Sequence, residues 1–193
     1  MLTSNRPAAI GSLAFAICLA ISGGCEQQPV RSLQPPSPVS RDAVDVKLLE
    51  GDRDTYTQIL SSHDGKVILV DFWATWCGPC VKQFPHSIEL SRKHRDAGLA
   101  VVTVSMNEPK ERDSVLAFLT RQKADVVNLL PRYGAGSEFL EAFDLRGDVP
   151  FYKLYDRKGT LRYTFSDDPE GIDNCEPIEQ IDRRVEELLL DHS

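Results

Sequence analysis

Residues 67–85 read VILVDFWATWCGPCVKQFP, and the way this stretch folds decides the rest of the chain. Val67, Ile68, Leu69 and Val70 are a short, β-branched apolar run, the pattern of a strand buried on both faces. Asp71-Phe72-Trp73-Ala74 follows, then Trp76-Cys77-Gly78-Pro79-Cys80 and an amphipathic stretch from Val81. The pattern predicts a strand running into a helix with two cysteines at its N-terminal end. Residues three apart meet on one helical face. Cys77, at the start, would lie where free N–H groups and the helix dipole favour a thiolate. A thiolate is the nucleophile of disulfide exchange, and a second thiol one turn on can release the product.

Outward from that core, elements alternate. On the N-terminal side, Val44-Asp45-Val46-Lys47-Leu48 alternates like a half-buried strand, and Tyr56, Ile59 and Leu60 sit at helical spacing in residues 54–62. Asp64-Gly65 is a turn. Beyond the cysteines, the helix is expected to run to about Arg95, with Pro85 kinking it. Residues 99–104 read as a second buried strand and Pro109 starts a further helix. Residues 126–130 read as a strand and 137–143 as a short helix. Residues 151–155 and 161–165 form a hairpin about Asp156-Arg157-Lys158-Gly159, and 177–190 close the domain as an amphipathic helix.

This layout resembles the thioredoxin family. The resemblance rests on Trp76-Cys77-Gly78-Pro79-Cys80, on the upstream Asp71-Phe72-Trp73-Ala74, and on Pro85, five past the second cysteine. The wider order resembles the membrane-tethered TlpA/ResA branch. It implies an α/β thioredoxin fold: a central mixed sheet flanked by helices, with a short extra unit, about residues 124–140, between its halves. It also implies Cys77 as nucleophile, Cys80 as resolving thiol and Asp71 as a buried carboxylate exchanging protons with Cys80. Trp76, Gly78 and Pro79 would face the client. Val149-Pro150 looks like the family's cis-proline loop, whose pre-proline residue binds an extended client chain. Here Asp148 adds a residue after Gly147, and Phe151 stands where Thr is usual.

The N-terminal 43 residues carry a different message. Arg6 followed by an apolar stretch over residues 10–21 has the form of an export signal, residues 1–24, too short to span a bilayer comfortably. Ser22-Gly23-Gly24-Cys25 resembles a bacterial lipobox, with Ser22 where Leu is usual; the resemblance implies lipidation at Cys25, and plain secretion is the alternative. Residues 26–43, rich in Pro, Gln and Ser, cannot offset chain entropy and read as a disordered tether. Residues 44–193 are the thioredoxin-like domain. Cys18 falls in the leader, and Cys175 lies alone in a polar loop with no catalytic role assigned.

Net charge is −7, against a nucleic-acid surface. A structural zinc site needs four ligands; there is no second cysteine pair, and His63, His86, His94 and His192 are scattered, so they read as surface residues and no metal is expected. The cysteine pair is itself the redox centre and calls for no separate cofactor. Expected partners are disulfide-containing client proteins, a membrane thiol electron donor, and the membrane itself through the lipid anchor; the expected location is the periplasmic side of a bacterial membrane, as a monomer. Three other readings stay open. A copper-handling module of this fold would want one more residue between the cysteines. A thiol peroxidase would want Thr or Ser at position 74, which is Ala. A redox-inactive interaction module would tolerate loss of either cysteine.

Overall fold

The computed structural model describes residues 45–146 and 148–191. The leader, Cys18, Cys25, the tether, Gly147 and His192 lie outside the described residues.

Among the described residues seven strands form one mixed sheet in the order β1-β4-β3-β2-β5-β6-β7. They are β1 (Leu48–Gly51), β2 (Val67–Trp73), β3 (Leu99–Ser105), β4 (Val127–Pro131), β5 (Phe151–Tyr155), β6 (Leu161–Ser166) and β7 (Cys175–Pro177). The helices are α1 (Arg53–Ser61), α2 (Gly78–His94), α3 (Arg112–Gln122), α4 (Ser137–Ala142) and α5 (Ile181–Leu190). Single 3-10 turns, Pro109–Glu111 and Ile178–Gln180, lead into α3 and α5. Strands β1, β4, β3 and β2 run parallel, β5 lies antiparallel to β2 and to β6, and β7 is parallel to β6. This is a thioredoxin fold in which β4 is added between β1 and β3.

β2 is central and buried along its whole length. Its side chains alternate between two helical layers, as the pleat requires. Trp73 packs on Phe84 of α2 and Phe118 of α3, with ring centroids 4.6 and 4.7 Å apart. Phe72 faces the other way, towards Tyr56 of α1, Phe139 of α4 and Phe143. α5 covers Val67, Leu69, Tyr152, Leu154 and Phe165 with Ile181, Val185, Leu188 and Leu189. Parallel crossovers of one hand produce this division: β2 to β3 and β3 to β4 step one way, β1 to β2 the other.

Three expectations need correction. Among the described residues, which begin at 45, the first strand starts at Leu48, although the alternation predicts a strand over 44–48. Val46 and Leu48 do alternate inward, but Leu48 pairs with Asn128, the second residue of β4, and Asn128 Nδ2 donates to the Lys47 carbonyl instead of a further strand pair forming. The loop assigned to Cys175 is a three-residue strand, β7, aligned beside β6 and too short to show any period. α2, by contrast, runs as expected, through Pro85 to His94. His94 is not a surface residue: its side chain is only 14% exposed.

Candidate active site

The site grows from the end of β2. Trp73 O accepts a hydrogen bond from Met106 N (2.7 Å), which ties the end of β2 to the segment after β3. Asn107, fully buried, then grips the next turn: its Oδ1 accepts from Thr75 N (2.9 Å), and its Nδ2 donates to Thr75 Oγ1 (2.7 Å). Cys77 is the N-cap of α2, with extended backbone, so the helix begins one residue later at Gly78. Pro79 falls in the first turn, where its missing N–H costs nothing.

Cys77 and Cys80 are joined as a disulfide. Cys77 Sγ accepts from the backbone N–H of Cys80 at 3.1 Å, so a donor at the positive helix end already points at this sulfur. Cys77 is 6% exposed and Cys80 1%: the first sulfur borders solvent and the second does not. Trp76 stands beside them, 55% exposed. Gly78 and Pro79 are exposed as well.

From the other side comes the segment before β5. The Val149–Pro150 peptide is cis. The Val149 carbonyl oxygen lies 3.5 Å from Cys77 Sγ. A groove of about 480 Å³ runs from Pro79 past Val149 and Pro150 to Asp167 and Asp168 in the loop after β6. The structure therefore brings Cys77, Cys80, Gly78, Pro79, Val149 and Pro150 to one edge of the molecule, with Trp76 beside them.

Asp71 lies beneath, on β2, 1% exposed. Burial pushes its carboxyl up to about 7, opposed by a hydrogen bond from Ser87 Oγ to Oδ2 at 2.6 Å. Among the described residues Oδ1 has no hydrogen-bond partner. Cys80 and Ser87 are seven apart on α2 and share its buried stripe, which packs on the face of β2 that carries Asp71. Neither Ser87 nor Asn107 was singled out by the sequence reading. Ser87 was findable, being two turns past Cys80; Asn107 was not, since nothing local marks the loop that it holds.

Cys175 is a free, half-buried thiol on β7, and burial pushes its pKa up. Among the described residues no cluster of three or more His, Cys, Asp or Glu side chains is placed to share a metal ion.

A family model described as Redoxin matches residues 38–178. The thiol-disulfide oxidoreductase ResA of Geobacillus kaustophilus is 30% identical over 103 residues, 53% of this chain and 56% of that protein. The thioredoxin-like protein YneN of Bacillus subtilis is 30% identical over 118 residues, 61% of this chain and 64% of the relative. The chain thus spans about half the length of the ResA protein it matches. Among solved structures, a thiol-disulfide isomerase from Corynebacterium glutamicum superposes with a TM-score of 0.54 at 18% identity, covering 68% of this chain and 85% of the other. At that identity the likeness speaks for the fold alone.

Proposed function

The chain belongs to the Redoxin family, and from that membership we propose that it is a thiol–disulfide oxidoreductase that reduces disulfides of client proteins outside the cytoplasm. The observation that carries this reading is the Cys77–Cys80 disulfide at the start of α2, with the more exposed sulfur against the Val149 carbonyl.

In the reduced protein the Cys77 thiolate attacks a client disulfide. A Cys77–client mixed disulfide forms, and one client sulfur leaves as a thiolate that takes up a proton. The Cys80 thiol then loses its proton to Asp71, and its sulfur bonds to Cys77 Sγ. That bond displaces the second client sulfur and leaves the Cys77–Cys80 disulfide. Two electrons have passed to the client. A thiol donor, in our reading one held in the membrane, returns them to the pair. The client segment lies along the groove between Pro79, Val149 and Pro150, beside Trp76. Within the chain the cysteine pair supplies the redox chemistry without a further cofactor. A lipid on Cys25 would hold the domain at the periplasmic face of a membrane, with residues 26–43 as the connection between them.

The division of labour between the cysteines is the test. In the whole chain, Cys80→Ser should trap client proteins as mixed disulfides that dithiothreitol releases, whereas Cys77→Ser should trap nothing and lose reductase activity. Iodoacetamide at neutral pH should label Cys77 of the reduced protein well before Cys80. Should neither variant lose activity, the enzyme reading fails and an interaction module takes its place.

A further inference from the structure

Asp71 carries an asymmetry that the redox cycle alone does not require. One carboxylate oxygen, Oδ2, accepts from Ser87 Oγ at 2.6 Å, while the other, Oδ1, is buried without a partner among the described residues. Ser87 is 2% exposed and projects from the same buried stripe of α2 as Cys80. A buried hydroxyl stays favourable only while its hydrogen bond is made.

We infer that Ser87 is a positioning residue for the exchange: its hydroxyl holds Asp71 by Oδ2 and so leaves Oδ1 as the oxygen that takes the proton from Cys80. The inference rests on the proposed oxidoreductase reading. In the resolving step the Cys80 S–H bond breaks and its proton passes to Oδ1. The Cys80 sulfur bonds to Cys77 Sγ, and the Cys77–client bond breaks with its electron pair on the client sulfur, which is then protonated.

The second effect of Ser87 is on basicity. Burial raises the Asp71 carboxyl, and the donated hydrogen bond lowers it again by favouring the charged form. Among the described residues Ser87 is the donor that Asp71 has. Thr103 is its register partner on β3 and gives its hydroxyl to Asn128. Tyr152 is its partner on β5; burial pushes that phenol well above its ordinary range, the charge of Asp71 pushes the same way, a hydrogen bond with Ser87 lowers it, and the charge of Asp167 raises it, so the Ser87 hydroxyl meets both Asp71 and Tyr152. From α2 come Cys80 and Ser87. Without the Ser87 hydroxyl, Asp71 holds its proton to higher pH and is less able to accept another at neutrality.

The experiment uses the whole chain with Ser87→Ala, read in two ways. The first is the titration of the Asp71 carboxyl carbon by NMR in the oxidised protein. Its midpoint should rise by about one pH unit, the size expected for losing a hydrogen bond to a charged group. The second is the pH profile of client release from a preformed mixed disulfide. Its alkaline-rising limb should move up by the same amount, slowing release about fivefold at pH 7. In an Asp71→Asn background the same Ser87→Ala change should leave the release profile unmoved. Ser87→Thr, which keeps the hydroxyl, should return both midpoints towards the parent. An Asp71 midpoint unmoved by Ser87→Ala overturns the inference, as does an equal slowing in the Asp71→Asn background. If the parent chain releases no client at all, the proposed function fails, and the NMR titration still decides whether Ser87 holds Asp71.

Discussion

A carboxylate enclosed as Asp71 is costs the fold whenever it is charged. Its pKa in the folded chain is about 7, and in the unfolded chain about 3.9. Below about pH 4 it is protonated in both states and contributes no pH dependence. Between pH 4 and 7 the unfolded chain releases the proton and the folded chain keeps it. The folded state therefore binds more protons, and stability falls as pH rises through this window. Above about 7 both states are ionised and the loss is constant, about 4 kcal/mol for a shift of this size. Asp71→Asn removes the titration. Urea unfolding of the two oxidised proteins from pH 4 to 8 should show the parent losing stability relative to the variant across that window; a constant difference would mean that the carboxyl is not buried in a neutral form. Lys153 is the cationic counterpart. It is 4% exposed on β5 and donates to the Phe143 carbonyl at 2.8 Å, and burial pushes its amine down. Nothing in the reading FYKLY announces that the middle residue turns inward, because a strand covered on both faces places every second residue in a core whatever its charge.

At the level of elements, legibility followed apolar content. β3, α2 and the β5–β6 hairpin are long or strongly patterned, and their bounds are readable to within a residue or two, whereas β2 runs three residues past its apolar run, to Trp73. The bounds of β1 and the existence of β7 are not readable, because both depend on partners distant in sequence: β1 pairs where β4 lies beside it, β7 beside β6. The motif residues around the cysteines were legible from spacing, whereas the hold of Asn107 on Thr75 depends on a chain separation of 32 residues and leaves no local trace. The junction of β1 and α1 makes its demands locally, within four residues. Gly51 ends β1, Asp52 caps α1 by accepting from Thr55 N at 3.0 Å, and a methyl group on Gly51 would fall on the Thr55 side chain. Gly51→Ala should therefore destabilise by about 1–3 kcal/mol through overpacking. Adding Thr55→Ala removes Oγ1 and Cγ2 from the clash but leaves Cβ, so the pair should recover part of the loss. A thermal double-mutant cycle measures that recovery; additive effects would place the methyl elsewhere.

On the scale of the whole molecule, the proposed chemistry concentrates at one edge while the proposed attachment lies at the other end of the sequence. Were residues 26–43 a tether, as we propose, their 18 residues would span roughly 23 Å as a coil, or about 56 Å if fully extended as polyproline. Such a length gives an attached reductase reach for clients and for an electron donor without fixing its orientation. A single acyl chain binds a bilayer only marginally, so stable attachment at Cys25 needs the several chains of a bacterial lipoprotein. Cys25→Ser keeps the apolar leader and removes only the acceptor thiol. In a bacterial host the full chain carrying this change should move from the membrane to the soluble fraction, and its reductase activity in solution should stay that of the parent, since Cys77, Cys80 and Asp71 are untouched. Fractionation together with palmitate labelling checks both halves. Absence of label from the parent would reject Cys25 as the attachment point and leave plain secretion as the reading of the leader; retention of the variant in the membrane would reject it too and put the attachment on the apolar leader.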